Sequence, residues 1–348
     1  MRKDLHPERE KLIEKIRKLM EKRGRKPLEM ARKAILEEEI ESKKVKEALH
    51  YFMTKYWQDL ARPTLMSICC EAVGGDSNAT IPFAVPLSLI SGALDIQDDI
   101  IDQSKTKHGQ PTVYGKYGKE IAILTADALL FKGFTLLYEA CANLPKGKAE
   151  RIMKTIKDMF YELGDVEALE LKIRGRIDVT PEEYLYIIRK KAADVEVHTF
   201  IGAIIGNGKG VEQASLRKYG RYLGMLLIIR DDVIDICHPE EIVHRFKNEH
   251  LPLPIIYSLS YDQARISVYV QRIREVTKIV SKGMLKNFLG AIDQTKGFFS
   301  VQKVMEDITE SALSLIEKIG KNKEILQQLL QLLDLEVNEI IRDISDNS

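Results

Sequence analysis

At 348 residues, 45% of them hydrophobic and 30% charged, the chain is long and apolar enough to bury a core in one large domain or two small ones. Its 53 Lys and Arg nearly cancel its 52 Asp and Glu, leaving a formal net charge of +1. That balance excludes recruitment of nucleic acid or an anionic membrane by an overall field, so any charged chemistry has to come from local clusters.

Helical signals run from end to end. Apolar residues recur three and four positions apart in Leu12, Ile13, Ile16, Leu19 and Met20, and again in Leu326, Leu329, Leu330 and Leu333. The opening Met1-Arg-Lys-Asp-Leu-His-Pro has no signal-peptide apolar stretch. Residues 1–45 read as a pair of charged amphipathic helices parted at Gly24 to Pro27, and the acids interspersed on them disfavour a membrane-surface role. The apolar run from Ile81 to Leu94 is interrupted by Pro82 and Pro86 and is too short to cross a bilayer, which predicts no transmembrane segment. Further breaks fall at Gly74-Gly75-Asp76, Leu144-Pro145, Gly206 to Gly210 and Pro252 to Pro254. Thr180-Pro181-Glu182-Glu183 supplies an N-cap residue, a proline at the first helical position and acids in the first turn, so a helix starts there. His198, on a mostly apolar stretch, reads as a satisfied core residue. Cys69, Cys70, Cys141 and Cys237 show neither CxxC pairing nor zinc spacing, which predicts ordinary thiols in a reduced cytoplasmic protein. No alternating run of strand length stands out. The expectation is an all-α protein, a single domain over 1–348, with charged N-terminal helices over 1–45 and the main bundle over 46–348.

Two segments carry the chemistry: Asp98-Asp99-Ile100-Ile101-Asp102 and Asp231-Asp232-Val233-Ile234-Asp235. Each reads D-D-x-x-D inside helix-compatible apolar sequence. On a helix the first and last aspartates lie one turn apart on one face, with the second turned away by about 100°. Carboxylates that close in an apolar setting repel strongly, and a hard divalent cation resolves the repulsion. All-oxygen ligation suits Mg²⁺, which shares its shell with substrate phosphates. Two such clusters would hold several Mg²⁺ ions around one diphosphate and stabilise the charge that develops as it departs. Basic partners lie nearby: Lys105, Lys107 and His108 after the first cluster, Lys190 and Lys191 on the helix begun by Pro181, and Arg230 before the second cluster.

From about Leu60 to about Leu259 the chain resembles the trans-isoprenyl diphosphate synthase (polyprenyl synthetase) family. The stretch Asp98 to Tyr114, with Lys107-His108-Gly109-Gln110-Pro111-Thr112, is similar to the family's first Asp-rich motif followed by Arg-Arg-Gly-x-Pro-Thr. Tyr117-Gly118 and Ala122 to Leu130 match the next helix, and Tyr184 to Lys191 resembles the segment bearing the family's Lys-Thr. Gly220 to Asp235 is similar to the second Asp-rich motif, and Leu251 to Tyr257 to the Lys-x-Thr-Leu-Pro stretch. The resemblance implies an antiparallel helical bundle of isoprenoid synthase type around a deep central cavity, usually as a homodimer, with a heteromer also open. It implies prenyl diphosphate substrates, Mg²⁺ on Asp98, Asp99, Asp102, Asp231, Asp232 and Asp235, and the allylic diphosphate on Lys107 and Lys191. The implied reaction condenses an allylic diphosphate with isopentenyl diphosphate. Leu94 and Ala93, just upstream of the first cluster, are not aromatic, which disfavours a ten-carbon product and points to fifteen to twenty carbons or more; Asp95 is unusual in that wall.

The isopentenyl diphosphate site departs from the family. Of its Gly-Lys-Arg-x-Arg-Pro segment, Trp57 to Pro63 keeps Arg62; Ser91 stands for a histidine and His108 for the second arginine. Leu227-Ile228 replaces Phe-Gln, a His238-Pro239-Glu240-Glu241 loop replaces the Gly-Lys stretch, and Pro252 stands for a threonine. Lys55, two turns before Arg62 on the same helical face, and His50 are the candidate substitutes. Two other readings share these residues: a class I terpene synthase-like lyase, which ionises the same diphosphate without a second substrate, and a non-catalytic subunit of a heteromeric synthase.

Overall fold

The charged N-terminal segment folds as one helix followed by a second beyond residue 42. In the computed structural model, which describes residues 7–107 and 109–347, α1 (Pro7–Leu36) runs straight through Gly24 and Pro27. Gly24 is where α1 presses on the chain ahead of the third helix: a Cβ there would lie 2.4 Å from the Leu60 carbonyl oxygen. The glycine therefore serves close packing, not a break. One face of α1 buries Leu12, Ile16, Leu28, Ala31 and Ile35, so the helix is held by tertiary contact along its length.

Ser42 caps α2 (Lys43–Tyr51), its hydroxyl accepting from the Val45 N–H. A π-helical turn, Phe52–Tyr56, and irregular chain at 57–60 lead to α3 (Ala61–Ala72). After a short 3₁₀ turn comes α4 (Ile81–Ile101), whose two prolines sit within its first two turns and do not break it. Pro82 falls where the N–H would be unpaired anyway, and Pro86 removes one bond of the ladder. The apolar run is thus part of a longer helix than its sequence suggests. Together with the 3₁₀ turn, α4 is long and apolar enough to span a membrane, as is α6 (Lys119–Ala142). Burial of 72% of the apolar window in α4 makes it a core helix, against 33% for α6.

Between them lie a two-residue hairpin, β1 (Thr106–Lys107) with β2 (Gln110–Pro111), and α5 (Val113–Tyr117), capped by Thr112. The hairpin is too short to leave an alternating pattern. The chain continues through α7 (Lys146–Ile173), α8 (Pro181–Lys191), α9 (Ala193–Ile205) and α10 (Gly210–Asp235). As expected, α8 starts behind Thr180, whose hydroxyl accepts from the Glu183 N–H at 3.1 Å. The remainder is α11 (Glu241–Asn248), α12 (Leu253–Tyr261), α13 (Gln263–Glu275), α14 (Lys282–Gln294), α15 (Gly297–Ile316) and α16 (Lys323–Asn347). The fold is all-α, with a large C-terminal core and two smaller cores, one on each side of α4. Cys69, Cys70 and Cys141 are buried and unpaired, and Cys237 is half-buried and unpaired.

Candidate functional site

A cavity of about 920 Å³ lies among α1, α3, α4, α7, α9, α10 and α16. Most of its wall is apolar, including Ile16, Leu19 and Met20 of α1 and Leu329, Leu332 and Leu333 of α16. The N-terminal helix is therefore part of the cavity wall. Against that surface stand a few charged side chains, among them Asp95, Asp98, Lys191, Asp194, Arg230 and Asp231. The two Asp clusters, at the C-terminal ends of α4 and α10, thus open into one space.

Within each cluster the three aspartates do different things, and in the same order. The first lines the cavity: Asp98 on α4 and Asp231 on α10. The second is buried, Asp99 fully and Asp232 to within 1%. The third is gripped by an arginine from another segment. Arg174 Nη2 donates to Asp102 Oδ1 at 2.9 Å, and Arg245 Nη1 donates to Asp235 Oδ2 at 2.7 Å. Asp232 accepts from the Tyr184 hydroxyl at 2.6 Å, the Leu253 N–H at 2.9 Å and Arg245 Nη2 at 2.8 Å. Expected as a metal ligand, Asp232 instead ties α8, α11 and α12 to the end of α10, its oxygens already occupied by donors within the protein.

The cations expected at the first cluster are present. Lys107 Nζ lies 2.8 Å from Asp99 Oδ1 and 3.3 Å from Asp98 Oδ2, and Lys191 Nζ lies 3.5 Å from Asp98 Oδ1. Burial would raise the Asp98 carboxyl, but Lys191 and Lys107 hold it below the usual carboxylate range. Burial pushes Asp99 up to about 7 despite Lys107. Burial and then the Asp98 charge push Asp102 up to about 7, and burial pushes Asp235 up to about 6.

Four groups around Lys191 and Arg245 had no motif to announce them. Lys191 Nζ donates to Glu170 Oε2 at 2.8 Å and lies 3.5 Å from Glu167 Oε1. Glu170 also pairs with His250 Nε2 at 2.9 Å, and Glu249 with Arg245 Nε at 2.9 Å. Burial lifts Glu167 to about 8; against burial, Lys191 and His250 hold Glu170 at about 2, and Arg245 holds Glu249 at about 2. The spacing of Glu167 and Glu170 beside Leu163, Gly164 and Leu171 was the readable signal, since acids on an apolar helix face need a buried partner. Arg174 and Arg245 left none beyond the excess of acid they balance.

The residues expected to hold the second substrate are arranged otherwise. Arg62 lines the cavity, but its Nε donates to Asp194 Oδ2 at 2.6 Å and its Nη1 to Asp59 Oδ2 at 3.0 Å. Ser91, at the histidine position, donates to Asp194 Oδ1 at 3.2 Å. Lys55 and Arg62 do not share a helical face, because the π-turn ends between them and α3 begins afresh at Ala61. Lys55 is exposed and outside the cavity lining among the described residues, and His50 is exposed beside Thr54. His108 lies outside the described residues. Ala93 is packed in the core, whereas Leu94 and Asp95 line the cavity. Core placement of His198 is as expected; Nδ1 pairs with the Asp194 carbonyl at 2.8 Å, while Nε2 has no partner among the described residues.

Among the described residues no three His, Cys, Asp or Glu side chains converge into a ready-made metal cage. The donor set nonetheless fits a hard divalent cation. It is all carboxylate, buried enough to raise Asp99 and Asp102, and Asp99 Oδ2 is buried without a hydrogen-bond partner among the described residues.

The family description polyprenyl synthetase matches residues 42–283. A short chain isoprenyl diphosphate synthase of Methanothermobacter thermautotrophicus is 35% identical over 184 residues, 52% of this chain and 55% of the relative. A geranylgeranyl diphosphate synthase of Methanosarcina mazei is 30% identical over 191 residues, 55% of this chain and 58% of the relative. The chain thus spans between half and two thirds of the length of these curated relatives. The crystal structure of geranylgeranyl pyrophosphate synthetase from Pyrococcus horikoshii superposes with a TM-score of 0.78 at 25% identity, covering 92% of this chain and 98% of that one.

Proposed function

The chain belongs to the polyprenyl synthetase family, and on that premise we propose that it joins an allylic diphosphate to isopentenyl diphosphate to give a longer prenyl diphosphate. One observation carries this reading: Asp98 and Asp231, the leading residues of two D-D-x-x-D clusters, line the same apolar cavity as Lys191. The relatives named for isoprenyl and geranylgeranyl diphosphate synthesis support it.

Asp98, Asp99, Asp102, Asp231 and Asp235 are the residues that would hold several Mg²⁺ ions, which when bound neutralise a departing diphosphate. Lys107 and Lys191 exchange carboxylate partners for oxygens of the allylic diphosphate. The allylic carbon–oxygen bond breaks with its electron pair leaving on the diphosphate, and the cation is delocalised along the allyl group. Apolar walls from α1, α7 and α16 keep water from quenching it. The double bond of isopentenyl diphosphate, held through Arg62, attacks the cation to form a carbon–carbon bond. A proton from the adjacent carbon passes to the released diphosphate, which balances the step. Asp232 fixes α8, α11 and α12 around the site, and residues 1–348 act as one isoprenoid-synthase domain that includes α1.

On its outer side α6 exposes Leu124, Phe131 and Tyr138, seven positions apart on one face. We assign that stripe to a homodimer, in which the same patch meets itself across a two-fold axis. Reduced, unpaired thiols fit a cytoplasmic protein.

Purified protein given an allylic diphosphate and isopentenyl diphosphate should elongate the primer in Mg²⁺ and stop in EDTA. Turnover indifferent to EDTA would sink the metal assignment.

A further inference from the structure

The helix that follows the second Asp cluster reaches both clusters with two consecutive residues. Arg245 of α11 pairs with Asp232 and Asp235. His244, the residue before it, reaches the first cluster instead, where its Nε2 meets Ser104 Oγ at 3.0 Å. Glu249 joins the two, since it pairs with Arg245 Nε at 2.9 Å and lies 3.4 Å from His244 Nε2. Asn248 Nδ2 lies 3.0 Å from His244 Nδ1, so the imidazole is held at both nitrogens.

Ser104 is the foot of the hairpin that carries Lys107 on its first strand. The chain arrives there through Gln103 at φ 57°, a left-handed conformation that a residue with a Cβ keeps only where its surroundings fix it. Ser104 is 1% exposed and uses every polar group it has. Its N–H donates to the Asp99 carbonyl at 2.8 Å, its own carbonyl accepts from the Thr112 hydroxyl at 2.7 Å, and its hydroxyl meets His244. Of the three bonds, only the one to His244 leaves the segment 99–112. A hairpin with two-residue strands has little stability of its own, so its place beside Asp98 and Asp99 depends on such ties. The Tyr51 hydroxyl, donating to the Pro111 carbonyl at 2.5 Å, holds the other strand.

We propose that His244 is a positioning residue for the allylic diphosphate: through Ser104 it fixes the hairpin that presents Lys107, and through α11 it sets that hairpin relative to the second Asp cluster. The proposal rests on the reading of the cavity as a prenyl diphosphate site.

Binding of geranyl S-thiolodiphosphate, an allylic diphosphate analogue that resists ionisation, is measured by calorimetry in Mg²⁺ for wild type, His244→Phe, His244→Gln and Ser104→Ala. Loss of this one hydrogen bond should weaken binding about tenfold in His244→Phe and in Ser104→Ala. His244→Gln keeps a donor for Ser104 and should recover most of that loss. A merely structural role does not predict the next result. In a Lys107→Met background His244→Phe should cost little more, because the hairpin then presents no cation. A full tenfold loss on top of Lys107→Met, or unchanged affinity in both His244→Phe and Ser104→Ala, overturns the proposal. Elongation assays on the same proteins keep the two readings apart. Analogue affinities that fall as described, with a wild type that makes no elongated product, overturn the elongation reading and leave His244 in its role. A wild type that does not bind the analogue overturns both. Should His244→Phe fail to fold, as thermal melting would report, Ser104→Ala with and without Lys107→Met decides on the same terms.

Discussion

Each Asp cluster divides its labour by position. The first aspartate faces the cavity, the second is buried, and the third is held by Arg174 or Arg245. Sequence spacing made the first and third readable as neighbours on a helix face, but not the arginines, which arrive from segments with no motif of their own. The arginine proposed for the second substrate shows the same limit. Arg62 could be picked out, whereas its pairing with Asp194, 132 positions away, could not. That pairing gives a test. Asp194→Asn removes one of the two carboxylates that compete with a diphosphate for Arg62, so KM for isopentenyl diphosphate should fall about tenfold with kcat little changed. An unchanged or raised KM would show that Arg62 does not hold this substrate. Glu249 supplies a pH test. Against burial, Arg245 holds its carboxyl at about 2, below the ordinary 4.5, so the stability it contributes is complete above the ordinary value and is lost as pH falls toward about 2. In urea titrations between those limits, Glu249→Gln should lose less stability per pH step than wild type; equal slopes would remove Arg245 and Glu249 as the source.

At the scale of elements, helix starts were legible where a cap and a proline coincide, as at Thr180 and Pro181. Breaks were less so. Glycine and proline at 24–27 marked a turn, yet tertiary packing on Leu60 carries α1 through. The opposite error fell at Phe52–Tyr56, where good helical sequence hides a π-turn that puts Lys55 and Arg62 on separate helices. Aromatic stacking of Phe52 on Trp57 at 5.4 Å stabilises that turn, and no periodicity announces it. Contact between α4 and α6 depends on having no side chain at Gly133. Gly133→Val should force the two helices apart and lower stability by about 1–3 kcal/mol in thermal or urea unfolding. A neutral result would mean the helices shift without cost and that α4 is less firmly placed than its burial suggests.

For the molecule as a whole, the all-α class and the shared site of two distant Asp clusters were both written in the sequence, the first in apolar periodicity and the second in a repeated spacing. The cavity's makeup was not. Its wall draws on α1 and α16, at opposite ends of the described chain, and sequence periodicity shows that a helix has an apolar face without showing what that face meets. The exposed stripe on α6 makes a claim at this scale too: Phe131→Glu should weaken self-association about thirtyfold or more in sedimentation equilibrium. Wild type that sediments as a monomer at all concentrations would remove the homodimer.

The most direct test of the account is a product spectrum from the wild type in Mg²⁺, with isopentenyl diphosphate and each allylic primer in turn, and with each primer alone. The account predicts elongated prenyl diphosphates only when both substrates are present. Hydrocarbon or alcohol released from a primer alone, or ligand binding without any turnover, would contradict it.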